Sequence, residues 1–283
     1  MNDPSMIALP ETDAVMLAGG FEICHGRDAQ FPETDFHSHD HYEFYLFLDG
    51  NVTYYIEEQI YELMPGDLLI IPPGTMHRPM VKCNGAVYER IVLGVNIDFL
   101  RMLQREQNEI LAALHTFRKK SGYRISLSGK ELVFFSQLCD HLIQWTKAPV
   151  QTQSSFVSVY LHSLLPCLSR GGRAPEVRTD LVADVIRYLN DHFREPITLD
   201  ELCAKFFVSK YYLLRKFKSY TGTTIHDYLL SKRVTLARQL IRHGMSAGDA
   251  GQQCGFSDYS NFYRTFTAKT GVTPAQFKLR CQE

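Results

Sequence analysis

Two kinds of hydrophobic spacing divide the chain. Up to about residue 97, short runs rich in Tyr, Phe, Ile and Leu are separated by Gly, Pro, Asp and Asn, as in HYEFYLFLDGNVTYYIEEQIYELMPGDLLIIPPG. Strands of about six residues joined by tight turns give this pattern, which is typical of an antiparallel barrel or sandwich. From roughly residue 98 onward, apolar positions recur every three or four residues, which predicts helices.

The first helices of the second part are amphipathic. GKELVFFSQLCDHLIQW carries an apolar stripe of five residues: Leu132, Phe135, Leu138, Leu142 and Trp145. SSFVSVYLHSLLPCL, residues 154–168, is a second such helix. The stripe exceeds what one helix needs to cover a small barrel, so we expect the two helices to form a two-fold interface. SRGGRAPEVR, residues 169–178, has no apolar period and is interpreted as an interdomain linker.

The remainder of the chain contains an internal repeat. SKYYLLRKFKSYTGTTIHDYL (209–229) and DYSNFYRTFTAKTGVTPAQFK (258–278) superpose at a shift of 49 residues. The matched pairs include Leu213 with Phe262, Arg215 with Arg264, Phe217 with Phe266, Gly222 with Gly271 and Thr224 with Thr273. A short segment and a turn precede each copy, at an offset of 48. Helix, tight turn and capped helix form a helix-turn-helix unit, so the chain contains two.

The second helix of each unit has an outward face suited to DNA. The apolar residues of each helix occupy one face and must be core, and Ser209, and Ser257 or Asp258, are the predicted N-caps. The outward residues are Lys210, Tyr211, Leu214, Arg215 and Lys218 in the first helix, and Tyr259, Ser260, Tyr263, Arg264 and Thr267 in the second. Arginine can bond a guanine edge in the major groove with both its arms. One such face is usually just solvated surface, but two matching copies favour DNA binding.

Charge and cysteine usage agree with this interpretation. Residues 179–283 contain 15 Lys and Arg against 10 Asp and Glu, whereas residues 1–178 contain 15 against 21. A basic C-terminal third suggests a polyanionic partner. The 7 cysteines include no C-x-x-C pair, which favours free thiols in a reducing cytoplasm. No apolar run reaches the ~18 residues of a membrane span, and the acidic N-terminus is unlike a signal peptide.

The stretch 181–278 resembles the C-terminal domain of AraC/XylS-type transcription regulators. The resemblance rests on ITLDELCAKFFVSKYYLLRKFKSYTG, on the helix IHDYLLSKRVTLARQLI between the units, and on GFSDYSNFYRTFTAKTGVTPAQFK. It implies two helix-turn-helix subdomains that are joined by one long helix and read two successive major grooves. The base-reading positions of the family fall on Tyr211, Leu214 and Arg215, and on Tyr259, Ser260, Asn261, Tyr263 and Arg264.

One helix of the second unit departs from the family pattern. Gly251 stands where the family usually has a packed alanine, and Gly248 lies in the same short helix. Each glycine is expected to weaken that helix by ~1 kcal/mol relative to alanine. The sequence therefore predicts a second unit that is loose until DNA orders it.

Residues 37–43, HSHDHYE, concentrate metal-binding side chains near the start of the barrel. His37, His39, His41 and Glu43 are odd-numbered, so on one strand they share a face. Imidazoles and a carboxylate can hold a divalent transition metal with open positions. They can equally line a pocket without metal and hydrogen-bond a small polar ligand.

The spacing of these residues resembles the two cupin motifs. The pattern is His37-x-His39-x3-Glu43-x6-Gly50, followed by Gly66-x5-Pro72-x-Gly74-x2-His77, over roughly residues 20–95. In metal-binding cupins the corresponding residues, here His37, His39, Glu43 and His77, form the metal site. Val81 stands where the second motif usually has asparagine, and His41 is not a motif ligand, so we expect His41 at the pocket or its rim.

The predicted fold class is α+β: an N-terminal cupin-like β-barrel with a helical dimerisation segment, and a C-terminal all-α domain with two helix-turn-helix units. The expected divisions are 1–97 for an effector-sensing barrel, 98–168 for the dimerisation segment, 169–178 for the linker and 179–283 for the DNA-binding domain.

The predicted function is a ligand-responsive, sequence-specific DNA-binding transcription regulator of the cytoplasm, and not an enzyme. The effector pocket is expected at His37, His39, Glu43, Tyr45 and His77, and the DNA contacts at the positions given above with Lys210 and Lys218. No cofactor is required, although a divalent transition metal fits His37, His39, Glu43 and His77. The expected partners are double-stranded DNA, a small-molecule effector, a second copy of the chain in a homodimer and, for an activator, RNA polymerase, with no membrane. The alternative is a metal-dependent cupin enzyme, an oxygenase or isomerase, with an appended DNA-binding domain.

Overall fold

A computed structural model gives the architecture of the chain. It describes residues 20–32, 34–82, 87–103, 109–145, 149–172, 176–177 and 180–281. The acidic N-terminus, Cys83 and residues 173–175 and 178 of the expected linker lie outside the described residues.

The N-terminal half is a β-rich domain of two sheets. Its strands are β1 (Phe21–Asp28), β2 (His41–Asp49), β3 (Val52–Ile56), β4 (Gln59–Glu62), β5 (Asp67–Ile71), β6 (His77–Val81), β7 (Tyr88–Asn96), β8 (Arg124–Ser126) and β9 (Glu176–Val177). One sheet has the order β1-β7-β2-β5-β8 and the other β6-β3-β4-β9. The strand pairs are antiparallel. The predicted antiparallel β domain is therefore confirmed.

Four helices belong to the same domain: α1 (Ile97–Leu103), α2 (Glu109–Ser121), α3 (Gly129–Gln144) and α4 (Val150–Arg170). Phe135, Leu138 and Leu142 of α3 are buried in one hydrophobic core with Phe44 and Leu93 of the sheet. Phe135, Leu138 and Leu142 are therefore not free for the predicted two-fold interface, because they cover the β structure of their own chain. The expected linker is also shorter than predicted, since α4 continues to Arg170 and β9 pairs with β4.

The outward side of the helix pair α3 and α4 carries further apolar side chains, together with Trp145 of the stripe. Val133, Phe134, Trp145 and Val159 are large apolar side chains that remain exposed. A surface for a second copy of the chain would have to use these residues.

The C-terminal part is the helical domain. Its helices are α5 (Leu181–His192), α6 (Leu199–Phe206), α7 (Lys210–Thr221), α8 (Ile225–Arg242), α9 (Ala247–Gln253), α10 (Tyr259–Thr270) and α11 (Pro274–Arg280). The two units are α6–α7 and α9–α10. The first half of α8 is buried with α7 in one core, and the second half with α10 in another. The two subdomains joined by one long helix, which the resemblance implies, are confirmed. Within the described residues, every helix is too short or too polar to span a bilayer.

Capping follows the repeat. The hydroxyl of Ser209 accepts a hydrogen bond from the backbone N–H of Tyr212 at the start of α7. At the start of α10 the cap is Asp258, whose Oδ1 accepts from Asn261 N at 2.8 Å. The turns before these helices contain matching left-handed residues, Phe207 (φ 54°) and Gly255 (φ 87°). Both units therefore enter their second helix through the same backbone geometry.

Gly251 of α9 is a close-packing position. A methyl group there would lie 2.8 Å from Cγ of Phe262, the first buried residue of α10. Gly248 has no such neighbour, since only Ser246 Oγ lies near, at 4.0 Å. Gly251 thus allows α9 and α10 to approach, a packing role that offsets its low helix propensity.

Candidate effector site and nucleic-acid interface

Three histidines and one glutamate converge where β2 and β6 begin. We call His39, His41, Glu43 and His77 the His/Glu cluster. His39 Nε2 lies 3.1 Å and His77 Nε2 lies 3.8 Å from the same oxygen, Oε2 of Glu43. The predicted single strand is interrupted here, because β2 begins only at His41. An isolated bridge between the backbones of His37 and His77 nevertheless holds the two segments side by side.

The histidine rings are oriented by the backbone. His39 Nδ1 lies 3.0 Å from the carbonyl oxygen of His41, and His77 Nδ1 lies 2.8 Å from that of Thr75. A carbonyl oxygen only accepts hydrogen bonds, so Nδ1 of His77 is its protonated nitrogen, whereas His39 has an acceptor at each ring nitrogen. Each Nε2 therefore points toward Glu43, as in metal sites where the second ring nitrogen donates to a carbonyl group.

His37 is expected among the ligands and His41 at the pocket or its rim, but the structure exchanges their positions. The ligand atoms of His39, His41 and Glu43 lie within 4.8 Å of one another, all on buried residues. The His41 ring stacks on His39 with centroids 3.7 Å apart. His37 is exposed, with its Nδ1 on the Asp35 carbonyl and its ring centroid 4.4 Å from that of His77. The structure thus puts His41 among the candidate ligands and His37 at their edge.

Tyrosines extend from the cluster into the β-rich domain. The hydroxyl of Tyr54 donates to Glu43 Oε1 at 3.2 Å. Tyr45, an expected pocket residue, packs on Tyr54 and shares a hydrogen bond of 2.5 Å with the hydroxyl of Tyr88. Burial raises the pKa of Tyr45 and of Tyr54 well above the ordinary value, so both remain neutral. Tyr45 lies one side chain away from the cluster.

The charge state of the cluster suits a cation. Burial opposes the ionisation of Glu43, but the nearby His39 and His77 outweigh it and hold the pKa of Glu43 well below its ordinary value. Burial lowers the pKa of His41 to about 3, with a further contribution from His39, so His41 is neutral. Nε2 of His77 is buried and has no hydrogen-bond partner among the described residues. A carboxylate and neutral imidazoles are a donor set that divalent transition metals bind, so the residues fit such an ion.

The neighbours of the cluster residues face the helical domain. Asp40, between His39 and His41, lies 3.2 Å from Arg238 Nη2 and 2.6 Å from Arg242 Nη2, and all three side chains are buried. The hydroxyl of Ser38 lies 2.8 Å from that of Thr235. Next to His77, Arg78 donates to the carbonyl oxygen of Tyr220 at 2.6 Å, at the end of α7.

A second buried anchor lies in the turn between β3 and β4. Glu57 accepts hydrogen bonds from Lys232 Nζ and from the Tyr228 hydroxyl, each at 3.0 Å, and also from the Asn190 amide. Burial opposes its ionisation, but Lys232 and the other donors lower the pKa of Glu57. Together with Asp40 and Arg78, Glu57 holds the β-rich domain on the helical domain, through α5, α7 and α8.

The sequence interpretation did not find Asp40, Arg238, Arg242 or Glu57. Two arginines four residues apart on the buried side of α8 were the available signal. Such a pair needs an acidic partner, and the sequence could not indicate which acid folds against it.

A cavity lies between the domains, next to the cluster. Its volume is about 230 Å³. His37 and Ser38 line it from the β-rich domain, and Ser231, Thr235, Arg238 and Lys269 line it from the helical domain. The sequence predicts a pocket inside the barrel, whereas this cavity lies between the domains. The barrel interior near Tyr45 and Tyr54 is packed with aromatic and aliphatic side chains.

The reading helices present their predicted faces to solvent. The exposed residues are Lys210, Tyr211, Leu214, Arg215 and Lys218 of α7, and Tyr259, Ser260, Tyr263 and Arg264 of α10. Asn261 is half-buried, as is Thr267, whose hydroxyl is buried. Leu213 and Phe217 of α7 are buried as predicted, as are Phe262 and Phe266 of α10. The docked β-rich domain therefore leaves both outward faces accessible.

Two family models match the chain. The AraC-like ligand-binding domain matches residues 22–115, and a helix-turn-helix domain matches residues 202–280. The chain belongs to the AraC family of transcription regulators. It is a ligand-responsive regulator with a sensor domain and a DNA-binding domain, and the predicted resemblance is confirmed.

Several known proteins are similar to this chain in sequence or structure. The HTH-type transcriptional activator RhaR of Escherichia coli (strain K12) is 25% identical over 265 residues, which are 88% of this chain and 89% of that protein. The structure of ToxT from Vibrio cholerae aligns at 13% identity over 92% of this chain and 98% of that one, with a TM-score of 0.40. The DNA-binding domain of AdpA in complex with a target DNA aligns at 25% identity over 36% of this chain and 93% of that one, with a TM-score of 0.35.

Proposed function

We propose that this AraC-family regulator reads double-stranded DNA through α7 and α10 in two successive major grooves. The observation that carries the proposal is the match between two exposed helical faces 49 residues apart, each with an arginine at the same position (Arg215 and Arg264) and with tyrosine nearby. The proposed contacts are Lys210, Tyr211, Leu214, Arg215 and Lys218 of α7, and Tyr259, Ser260, Asn261, Tyr263 and Arg264 of α10.

The reading arginines give the test. Arg215→Ala and Arg264→Ala should each reduce affinity for a duplex selected by the protein by about 1–3 kcal/mol if the arginine contacts a base. Arg187→Ala is the matched control, because Arg187 is an exposed arginine of α5 that pairs with Asp184 of its own helix turn. Unchanged affinity in both reading variants, with circular dichroism intact, would reject the assignment.

We further propose that the effector pocket comprises His37, His39, Glu43, Tyr45 and His77, together with His41. The burial of the cluster and its place beside the interdomain cavity support this choice. The pocket binds its ligand and performs no reaction on it, so the protein is not an enzyme; a purified protein that turned over a substrate would support the metal-dependent cupin alternative. DNA reading requires no cofactor, and a divalent transition metal is the ion that the donor set of the cluster favours.

The proposed divisions are a sensor barrel at 1–97, a dimerisation segment at 98–168 whose last helix extends to Arg170, a linker within 169–178 and the DNA-binding domain at 179–283. We propose a homodimer through the exposed apolar residues of α3 and α4, among them Val133, Phe134 and Val159. A chromosomal target implies a cytoplasmic location. RNA polymerase is the further partner if the protein activates transcription.

A further inference from the structure

We infer that the effector is a divalent first-row transition metal ion bound by His39, His41, Glu43 and His77, and that the residues next to these ligands transmit its binding to α8. The inference rests on the proposed regulator function and names its ligand and its route to the DNA-binding domain.

The acceptors around the cluster leave a place for positive charge, which an added proton or a bound metal ion can supply. Both nitrogens of His39 face acceptors, the His41 carbonyl at 3.0 Å and the Glu43 carboxylate at 3.1 Å. Nε2 of His77 also faces that carboxylate, because its Nδ1 already donates to Thr75. Lone pairs and a carboxylate that point at one another repel unless a proton or a metal ion lies between them.

The spacing of the donors selects a metal ion. Two ligands at 2.0–2.1 Å from a tetrahedral zinc-type ion are separated by ~3.3 Å. The distances from Glu43 Oε2 to His39 Nε2, 3.1 Å, and to His77 Nε2, 3.8 Å, lie on either side of that separation. Side-chain shifts of a few tenths of an ångström would complete the site.

The surroundings favour an ion over an organic effector. Tyr45, Tyr54 and Tyr88 fill the β-rich domain behind the cluster, and all three are at most 3% exposed. A sugar or an aromatic acid would have to displace them, whereas an ion fits among the donors themselves. The cavity of about 230 Å³ at the domain boundary is lined by His37, whose ring centroid lies 4.4 Å from that of His77.

The ligands alternate with residues that contact the helical domain. His39 and His41 flank Asp40, and His77 precedes Arg78. In extended backbone, successive side chains point to opposite sides. The ligands therefore point into the cluster, while Asp40 reaches Arg238 and Arg242, and Arg78 reaches Tyr220 at the end of α7. A metal that draws the ligands together must move the same backbone that carries these contacts.

Helix α8, which Asp40 contacts, packs into the cores of both reading helices. Arg238 and Arg242 lie on α8, which is packed into the core of the first unit by its first half and of the second unit by its second half. The β-rich domain leaves the reading faces exposed, so it acts on their relative orientation and does not mask them. A buried ion pair has few intermediate positions, because separating its charges in the interior is costly. Metal binding thus selects between discrete arrangements of the two units.

The first experiment measures metal binding and DNA binding on the full-length chain. Metal-free protein is titrated with Zn²⁺ by calorimetry and with Co²⁺ by visible absorption, and its affinity for a duplex selected from a random library is measured with and without Zn²⁺. One ion per chain with a tetrahedral Co²⁺ spectrum is expected, as is a change of about fivefold or more in DNA affinity. Glu43→Gln and His77→Ala should abolish both effects.

Matched controls separate the cluster from other histidines. His25→Ala and His162→Ala remove imidazoles on β1 and on the exposed side of α4, and both variants should bind metal as the wild type does. Absence of stoichiometric metal binding in the wild type, or equal binding in folded Glu43→Gln, would overturn the inference. If the wild type selects no duplex in either condition, the proposed DNA-reading function itself fails.

The second experiment isolates transmission. Asp40→Asn should bind metal as the wild type does but lose the metal-dependent change in DNA affinity, because its pairing with Arg238 and Arg242 is weakened. Asp49→Asn is the control, since Asp49 lies at the exposed end of β2 and accepts a hydrogen bond from the neighbouring Gly50 N–H. A full metal response in folded Asp40→Asn would reject the proposed route.

Discussion

Glu57 combines two features that each cost free energy. Its side chain is buried, and its backbone is left-handed, with φ at 52°. A non-glycine residue in such a conformation costs on the order of 1–3 kcal/mol, and a buried carboxylate needs several donors. Lys232, Tyr228 and Asn190 supply those donors from the helical domain. The strained turn is therefore maintained by the contact between the domains.

Replacing this carboxylate should loosen the domain contact. We expect Glu57→Gln to lower the free energy of unfolding by about 3 kcal/mol, because Lys232 would remain buried without its counter-charge. Chemical denaturation followed by circular dichroism measures this change. Glu58→Gln, in the same turn but half-exposed, should change stability by less than about 0.5 kcal/mol. Equal effects of the two substitutions would show that Glu57 is not the anchor.

Helix α9 is the element in which sequence and packing disagree. Glycine lowers helix propensity, and the sequence predicts that Gly248 and Gly251 loosen the second unit. The structure distinguishes the two positions, since Gly251 lies against Phe262 and Gly248 is exposed. The contribution of Gly248 to stability is set by helix propensity, whereas that of Gly251 is set by the limited space next to α10.

Alanine at these two positions should have opposite effects. Gly248→Ala should stabilise the protein by about 0.5–1 kcal/mol through helix propensity. Gly251→Ala should destabilise it by about 1–3 kcal/mol, because the new methyl group would overlap the Phe262 ring. Thermal unfolding of the two variants beside the wild type provides the comparison. Stabilisation by Gly251→Ala would mean that α9 and α10 are not in close contact.

In the whole molecule, buried carboxylates join the two domains. Burial opposes the ionisation of Asp40, but His41, Arg238 and Arg242 lower the pKa of this carboxyl group below its ordinary value of 3.8. The pKa of Glu57 is likewise below its ordinary value of 4.5. A carboxyl group whose pKa is lowered by docking stabilises the docked state at pH values above its ordinary pKa. This stabilisation is lost as the pH falls toward the lowered pKa.

The domains should therefore separate in acid. Below about pH 4.5, we expect the radius of gyration from small-angle scattering to increase, while far-ultraviolet circular dichroism still reports helices. Glu57→Gln should separate at a higher pH than the wild type, because one of the two anchoring carboxylates is already absent. A constant radius down to the pH of global unfolding would contradict this prediction.

The sequence could predict the features that are determined by residues close together along the chain, and not those determined by residues far apart along it. The two units, their caps and their outward arginines follow from local periodicity, so Arg215 and Arg264 could be found from the repeat alone. The exchange of His37 and His41 depends on the bridge between residues 37 and 77. The contact between Ser38 and Thr235 joins residues 197 positions apart, and no local pattern indicates such a pair.

Along residues 37–41 and 77–78, candidate ligands alternate with residues that contact the helical domain. This alternation limits how the two domains could be exchanged separately. Asp40 is placed between two candidate ligands, yet its partners Arg238 and Arg242 belong to the other domain. On the proposed route, a hybrid that joined this β-rich domain to the reader of another regulator would keep the candidate ligands but lose the contacts of Asp40, unless both arginines were transferred with it. We therefore expect such a hybrid to respond to its ligand only when it carries both arginines.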